Sequence, residues 1–315
     1  MMALCALPWL GGKYALDLAA RTMIMAVFAM GLQLLVGQAG LISLGQAAYF
    51  GIAGYAVVLL SPPQAPAALL IVLPAALAAS TACAALAGAL SLRARGIYFI
   101  MATLAFSQLA YTLAHDTALV GGSDGIYLDV RPLLALPGLR RLDLERPLQM
   151  YYVIWACLLF TYALLSRLAA TRFGHALAGI RHNESRMRAA GYETGRFKLA
   201  AFVLAGAVSA LAGGLNAIKD GYVNPEVLSW HQSGRVLLMV ILGGAGSLRG
   251  ALAGAACLTL MEEIFQSGAL FGALARHWQL PLGLSIIALV ALLPRGLAAL
   301  LEPRAPASAA PVSDA

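Results

Sequence analysis

Charged residues are scarce in this sequence. Only 11% of its 315 residues are Asp, Glu, Lys or Arg, whereas 61% are hydrophobic and the mean hydropathy is +0.81. A water-soluble domain needs a charged surface, which this composition does not provide. No charged residue occurs in the 71 positions from Thr22 to Leu92, which at about 20 residues per crossing accommodate roughly three membrane spans. The composition excludes a soluble fold and predicts a polytopic membrane protein.

Sequence motifs for catalysis, metal binding and nucleotide binding are also lacking. The four cysteines, Cys5, Cys83, Cys157 and Cys257, have no paired spacing, which argues against disulfides and against a zinc site. The sequence contains no HExxH, GxSxG or Cys/His cluster, so an enzyme and a bound metal have little support. It contains no P-loop either, so any ATP chemistry belongs to a partner. Few ionisable residues lie deep in the apolar segments, which disfavours an ion-coupled carrier.

The apolar segments predict an all-α fold with about nine transmembrane helices, with an uncertainty of one. These segments are 16–36, 44–60, 67–92, 96–115, 147–166, 199–218, two short spans within 235–265, and 280–294. We treat residues 1–304 as a single transmembrane domain. Residues 305–315 are rich in Ala, Pro and Ser and predict a disordered tail.

The distribution of positive charge predicts the topology. The loop at 167–198 carries seven Lys or Arg and two Glu, so the positive-inside rule makes it cytoplasmic. Alternation then puts Arg93 and Arg95 on the cytoplasmic side and the folded loop at 116–146 on the periplasmic side. The net charge of +7 comes from such loops and forms no stripe, so it indicates topology and not binding of nucleic acid.

Glycine clusters interrupt two of the apolar segments. Gly37 and Gly40 end the first span, and Gly243, Gly244 and Gly246 divide the run at 235–265. Matching glycine-broken helices are typical of an internal repeat around a central pathway. Short Gly/Ala fragments also recur by chance in membrane proteins, and the sequence does not separate the two explanations.

Several polar side chains lie in or beside apolar spans. Gln38, Ser43 and Gln46 follow the first glycine break, and Gln108 lies in the fourth span. Amides and hydroxyls in apolar surroundings need partners, so they either join helices or line a hydrated path. We take these four as candidate pathway residues, with helix joining as the alternative for each.

Two loop segments are further candidates. Residues 174–190 predict a short cytoplasmic helix that ends at Gly191, which suits either docking of a partner or a solvated surface helix. On the other side, Gly121, Gly122, Ser123 and Asp124 predict a tight periplasmic turn, which is a simpler explanation than a ligand site.

Blocks of sequence in a fixed order resemble the LivM-type permease subunits of ABC importers for branched-chain amino acids. The resembling blocks are residues 37–51 (GQAGLISLGQAAYFG), 95–106 (RGIYFIMATLAF), 121–125 (GGSDG), 172–174 (RFG), 178–181 (AGIR), 189–191 (AAG), 196–198 (RFK) and 243–247 (GGAGS). Together they extend over most of the chain, which is more specific than any single fragment.

The resemblance implies a subunit of the bacterial inner membrane. Its implied partners are a second similar permease, two cytoplasmic ATPases that bind ATP and Mg²⁺, and a periplasmic substrate-binding protein, with lipid around the helices. It also implies that the cytoplasmic helix docks on an ATPase. By position, the coupling residues are Glu184, Met187, Arg188, Ala189, Ala190 and Gly191.

The sequence departs from the family at a few positions. Leu41 stands where the family often has Gln, Gln46 where it often has His, and no literal Glu-Ala-Ala precedes Gly191. Members of the family also import urea, short amides or other amino acids, so the departures leave the solute open. An ion-coupled secondary carrier is the remaining alternative for the mechanism.

Overall fold

The computed structural model describes residues 12–62, 66–117, 120–133, 144–267, 277–293 and 296–301. The described chain is almost entirely helical, which confirms the all-α prediction. Its α-helices are α1 Lys13–Gln33, α2 Gln46–Leu60, α3 Leu69–Ser91, α4 Ile97–Asp116, α5 Pro147–Ala169, α6 Arg172–His182, α7 Glu184–Ala189, α8 Thr194–Asp220, α9 Trp230–Gly243, α10 Leu248–Gln266, α11 Gln279–Leu292 and α12 Ala298–Leu301. The tail at 305–315 lies outside the described residues.

Five of the described helices are long and apolar enough to cross a membrane. They are Lys13–Ala39, Leu69–Ser91, Ile97–Asp116, Pro147–Ala169 and Thr194–Asp220. The α9 and α10 pair meets the same criteria jointly and bends by 117°, as a broken or re-entrant span does. Helices α2 and α11 are apolar but shorter than a full crossing. A polytopic membrane protein is therefore confirmed, whereas the division into nine spans stays a prediction.

Helices α1 and α8 form the centre of the bundle. Both are mostly buried, and every residue of α1 from Met23 to Gln33 is inaccessible or nearly so. Helices α3, α4 and α5 are mainly exposed and present large apolar side chains outward. An outward apolar surface around a buried small-residue centre is the pattern of a bundle solvated by lipid.

Small residues let α8 approach its neighbours closely. A Cβ atom at Gly213 would lie 1.8 Å from the carbonyl oxygen of Phe50 in α2, and one at Gly206 would lie 2.6 Å from Cβ of Ala84 in α3. Without side chains at these positions the backbones come into direct contact. Close contact between helices therefore explains both glycines.

The two ends of the bundle agree with the predicted alternation of loops. A two-stranded antiparallel sheet joins β1, Ile126–Tyr127, in the loop after α4 to β2, Tyr222–Val223, in the loop after α8. Both loops are predicted to lie outside. At the opposite end, Arg93 and Arg95 line the same cleft as Arg181 and Lys198, all of which are predicted to lie inside.

We expect Gly213→Ala to destabilise the bundle, because α2 and α8 must separate to admit the new methyl group. Overpacking of this kind costs about 1–3 kcal/mol. Gly195→Ala is the matched control, since it lies in the first turn of the same helix with no atom within 4 Å of its Cβ position. Thermal unfolding in detergent, followed by tryptophan fluorescence, measures both variants. Equal midpoints would contradict the close crossing.

Candidate functional site

The first glycine break begins later than the sequence suggests. Helix α1 continues as a π-helical turn through Leu34–Ala39, and the chain leaves the helix at Gly40, where φ is +68°. Gly37 therefore lies inside the helical segment. A Cβ atom there would lie 2.4 Å from the Gln33 amide, so the glycine makes room for a side chain of the preceding turn.

The second glycine break follows the sequence closely. Helix α9 ends at Gly243, Gly244 has a φ of +102°, and α10 starts at Leu248. A Cβ atom at Gly243 would lie 2.0 Å from the carbonyl oxygen of Gly250, so the sharp bend depends on backbone contact between the two helices. Gly246 lies in the same short connection and has open space around it.

The structure brings the two breaks together. The Cβ position of Gly37 lies 3.5 Å from the carbonyl oxygen of Ala245. With its amide oxygen turned toward α10, the buried Gln33 accepts hydrogen bonds from the N–H groups of Gly246 and Ser247 at 3.0 and 3.1 Å. The Ser247 hydroxyl accepts from the Gly250 N–H at 3.2 Å. The protein itself thus bonds three of the N–H groups at the start of α10, those of Gly246, Ser247 and Gly250.

Residues 174–190 form two helices where the sequence predicts one. Asn183 has extended backbone between α6 and α7, and its side-chain oxygen accepts a hydrogen bond from the Arg186 N–H at 2.9 Å. An asparagine that bonds the backbone two or three residues ahead favours a new helix start over continuation of the old one. The interruption is local, because Met187 of α7 packs back over Gly179 of α6.

Gly191 ends α7 in a Schellman arrangement. Its φ is +85°, the Gly191 N–H donates to the Arg188 carbonyl, and the Tyr192 N–H donates to the Met187 carbonyl at 3.1 Å. A Cβ atom at Gly191 would meet nothing within 4 Å, so conformation alone explains the glycine.

Glu184 fixes α7 to the first turns of α8. Its carboxylate accepts hydrogen bonds from Arg188 at 2.6 Å, Lys198 at 2.6 Å and the Thr194 hydroxyl at 3.1 Å. Partial burial opposes ionisation, but the hydrogen bond and charge of Lys198, together with Thr194 and Arg188, outweigh it and lower the pKa of Glu184 to about 2. The predicted coupling residues Glu184, Met187 and Arg188 thus hold the loop together, while Ala189 and Ala190 are exposed.

We expect Glu184→Gln to lower the unfolding midpoint at neutral pH. The pKa of Glu184 is about 2 in the folded protein and about 4.5 without its partners, so its stabilising effect is present above about pH 4.5 and is lost as pH falls toward 2. The difference between wild type and variant should therefore shrink on acidification. Glu193→Gln removes an exposed carboxylate of the same loop and should change the midpoint little. A difference that stays constant from pH 7 to 3 would contradict the assignment.

Arg181 connects α6 to the first glycine break. Its guanidinium donates a hydrogen bond to the carbonyl oxygen of Gly37, and its side chain packs against Gly40. A carbonyl in a π-helical turn lacks its usual α-helical donor, and Arg181 supplies one. The contact joins α6 to the centre of the bundle.

The four candidate pathway residues have different surroundings. Ser43 and Gln46 are fully buried, and the Gln46 side-chain oxygen accepts a hydrogen bond from the Ser209 hydroxyl of α8 at 3.0 Å. Among the described residues, the Gln46 amide nitrogen and the Gln38 amide oxygen are buried without a hydrogen-bond partner. Gln108 alone of the four lines a cleft of about 940 Å³.

Sequence reasoning missed the side chains that cap α2. The Ser233 hydroxyl of α9 accepts from the Ala47 N–H at 2.9 Å, and the Thr103 hydroxyl of α4 accepts from the Leu44 N–H at 3.2 Å. Both hydroxyls are buried. They lie 59 and 186 residues from their partners, so no local pattern could have revealed them.

The predicted periplasmic turn is compact. Gly121 and Gly122 both have positive φ, and residues Gly122–Asp124 form a short 3₁₀ helix. The Ser123 hydroxyl donates to the Asp124 carboxylate at 3.2 Å, and the Asp124 carbonyl accepts from the Tyr222 hydroxyl at 2.9 Å. Through these contacts the turn supports the sheet that joins the two loops predicted to lie outside.

A cleft of about 940 Å³ opens at the same end as this sheet, between α1, α4, α8 and α9. Its volume lies within the range of about 300–1,000 Å³ that small-molecule sites occupy. Gln108 and Asn216 line it together with several charged side chains. Arg235 in the wall is paired with Glu262 of α10, whose side chain is only 6% exposed.

We expect Arg235→Gln to be strongly destabilising, because it leaves the Glu262 carboxylate buried without its counter-ion. Removing one partner of a buried ion pair costs about 3–5 kcal/mol. The double variant Arg235→Gln/Glu262→Gln carries no unpaired charge and should recover much of the lost stability. Unfolding midpoints in detergent compare the three proteins. A single variant as stable as the double one would show that the pair is not buried as described.

Taken together, the helical bundle, its broken helices and its polar cleft define a multi-pass membrane protein of the transport type. The family described as branched-chain amino acid transport system / permease component matches residues 14–292. The chain therefore belongs to the family of branched-chain amino acid transport system permease components, and this family is one of transport permeases.

Two curated relatives show the same similarity. Both are named high-affinity branched-chain amino acid transport system permease protein LivM, one from Salmonella typhimurium strain LT2 and one from Escherichia coli strain K12. Each is 28% identical over 278 residues, which cover 82% of this chain and 65% of the relative. The chain thus matches somewhat less than two thirds of these relatives' length. No solved structure gives a significant match.

Proposed function

We propose that this chain is a permease subunit of an ATP-driven importer that carries branched-chain amino acids across the bacterial inner membrane. Its membership of the permease family and the names of its relatives support the solute class. ATP and Mg²⁺ would bind to two cytoplasmic ATPase partners. A second, similar permease would complete the pathway, and a periplasmic binding protein would deliver the solute.

The geometry of the cytoplasmic loop is the observation that carries the proposal. Helix α7 is fixed to α8 by the hydrogen bonds of Glu184, and α6 is fixed to α1 by Arg181. Ser185, Arg186 and Ala189 of α7, and Ala190 directly after it, are nevertheless exposed. A short helix that is fixed to the bundle and exposed on its outer side is suited to docking into a groove on a partner. Force applied there would reach α1 through Arg181 and α8 through Lys198.

Copurification tests this function directly. Ala189→Trp adds bulk to the exposed side of α7 without touching the contacts that hold the loop, so ATPase subunits should no longer copurify with the tagged chain from mild detergent. Ala105→Trp is the matched control, because Ala105 is exposed on the apolar outer side of α4. Met187 is a poorer choice for this test, since it packs over Gly179.

The outcomes separate the proposed function from its alternatives. Mass spectrometry should find ATPases and a second permease with wild type and with Ala105→Trp, and should find the ATPases lost with Ala189→Trp. A wild-type chain that purifies alone and transports in vesicles on an ion gradient would be a secondary carrier. A reassembled complex that takes up urea or an amide with ATP, but no leucine or valine, would keep the importer class and overturn the solute.

A further inference from the structure

The charges that line the outer cleft are mostly paired. Lys219, with an 11% exposed side chain, lies 2.8 Å from the Asp17 carboxylate and 3.0 Å from that of Asp220. Arg235 is paired with Glu262. Arg235 and Glu262 offset each other, whereas Lys219 carries one positive charge against two carboxylates and leaves one net negative charge in this part of the wall.

Arg21 is the exception among the cations. It lines the cleft from α1, is half-buried, and has no hydrogen-bond acceptor or acidic partner among the residues that the structure describes. It lies two turns inside a helix that is long and apolar enough to cross a membrane. An ionisable group in a membrane span that faces a hydrated cavity without a counter-ion is a candidate for binding an external charge.

Glu226 is a second charged residue of the cleft that has no ion pair among the described residues. It is exposed and lies in the 3₁₀ helix Pro225–Leu228 before α9. Within the described residues, Arg21 and Glu226 are thus the Arg, Lys, Asp and Glu side chains of the cleft that have no ion pair. This combination of charges is complementary to a solute that carries both charges.

The remaining surface includes apolar side chains suited to an aliphatic group. Met25 follows Arg21 by one turn of α1, and Val227 and Trp230 come from the segment that carries Glu226. A guanidinium favours carboxylates because its donors match the two oxygens in a fixed geometry.

We propose that this cleft is a binding site for a zwitterionic amino acid, in which Arg21 holds the carboxylate, Glu226 faces the ammonium group and the Met25, Val227 and Trp230 side chains contact the aliphatic group. The solute class rests on the proposed function, whereas the site rests on the geometry of the cleft. Its position at the end predicted to lie outside makes it the place where a solute first contacts this subunit.

Protection of an introduced thiol tests the site without depending on transport. Ser229 lines the cleft, so Ser229→Cys in a chain whose native cysteines are replaced reports on access. The assembled complex in detergent is treated with a methanethiosulfonate reagent in the presence of leucine, isoamylamine, which lacks the carboxylate, or 4-methylpentanoate, which lacks the ammonium group. Leucine should slow modification more than either analogue.

Variants of the two charged residues test which side chain binds which charged group of the solute. Arg21→Gln should raise the leucine concentration for half-protection by about tenfold or more, and Arg21→Lys should restore part of the loss. Glu226→Gln should weaken protection by leucine but not by 4-methylpentanoate. Arg146→Gln is the matched control, being an exposed arginine beside α5 that does not line the cleft, and should behave like wild type.

Two results would overturn the site. If leucine protects Arg21→Gln as well as wild type, Arg21 does not bind the carboxylate, and if leucine gives no protection in the wild-type complex, the cleft is not a solute site. A complex that imports leucine while failing this test retains the proposed function and loses the site. A complex that imports no leucine yet shows Arg21-dependent protection retains the site and loses the function.

Discussion

Broken helices inside an apolar body expose backbone N–H and C=O groups that water cannot reach, and the structure depends on bonding them. Each break receives at least one partner from a distant helix. The start of α2 is bonded by Ser233 and Thr103, the start of α10 by Gln33 and its own Ser247, and the loosened turn of α1 by Arg181. Because the donors and acceptors come from remote parts of the chain, the breaks also lock the helices together.

This cross-linking has a consequence for motion. Gln33 and Gly37 connect the break in α1 to the break in α10, and Arg181 connects the same turn of α1 to α6. A displacement of α6 would act on the α1 break through the Arg181 contact, and that break is bonded in turn to the α10 break through Gln33. Packed elements with discrete hydrogen-bonding arrangements switch between states more readily than they deform continuously. In the proposed importer, ATPase closure at the exposed side of α7 would act on such an arrangement.

Composition predicted the membrane fold because the exclusion of charge from about 20-residue segments is a direct requirement of the bilayer. The helix end at Gly191 and the helix break at Gly243 were also predictable from the sequence, since both need a backbone conformation that glycine adopts readily. The π-helical extension past Gly37 was not, because it depends on the Gln33 side chain and on Arg181, 144 residues away. The division of the predicted cytoplasmic helix at Asn183 did have a local signal in the sequence, which is a capping side chain inside an apparent helix. An interpretation based on helical periodicity alone did not detect it.

The charges of the cleft bear on the source of energy. Glu262 is a deeply buried acid, the kind of group at which an ion-coupled carrier exchanges its ion. Its carboxylate is bound by Arg235 through two nitrogen atoms, so its oxygens already have a permanent counter-ion within the chain. An acid committed to a structural pair is poorly suited to alternate between bound and free ions. Glu262 is therefore better explained as a structural acid than as an ion-coupling site.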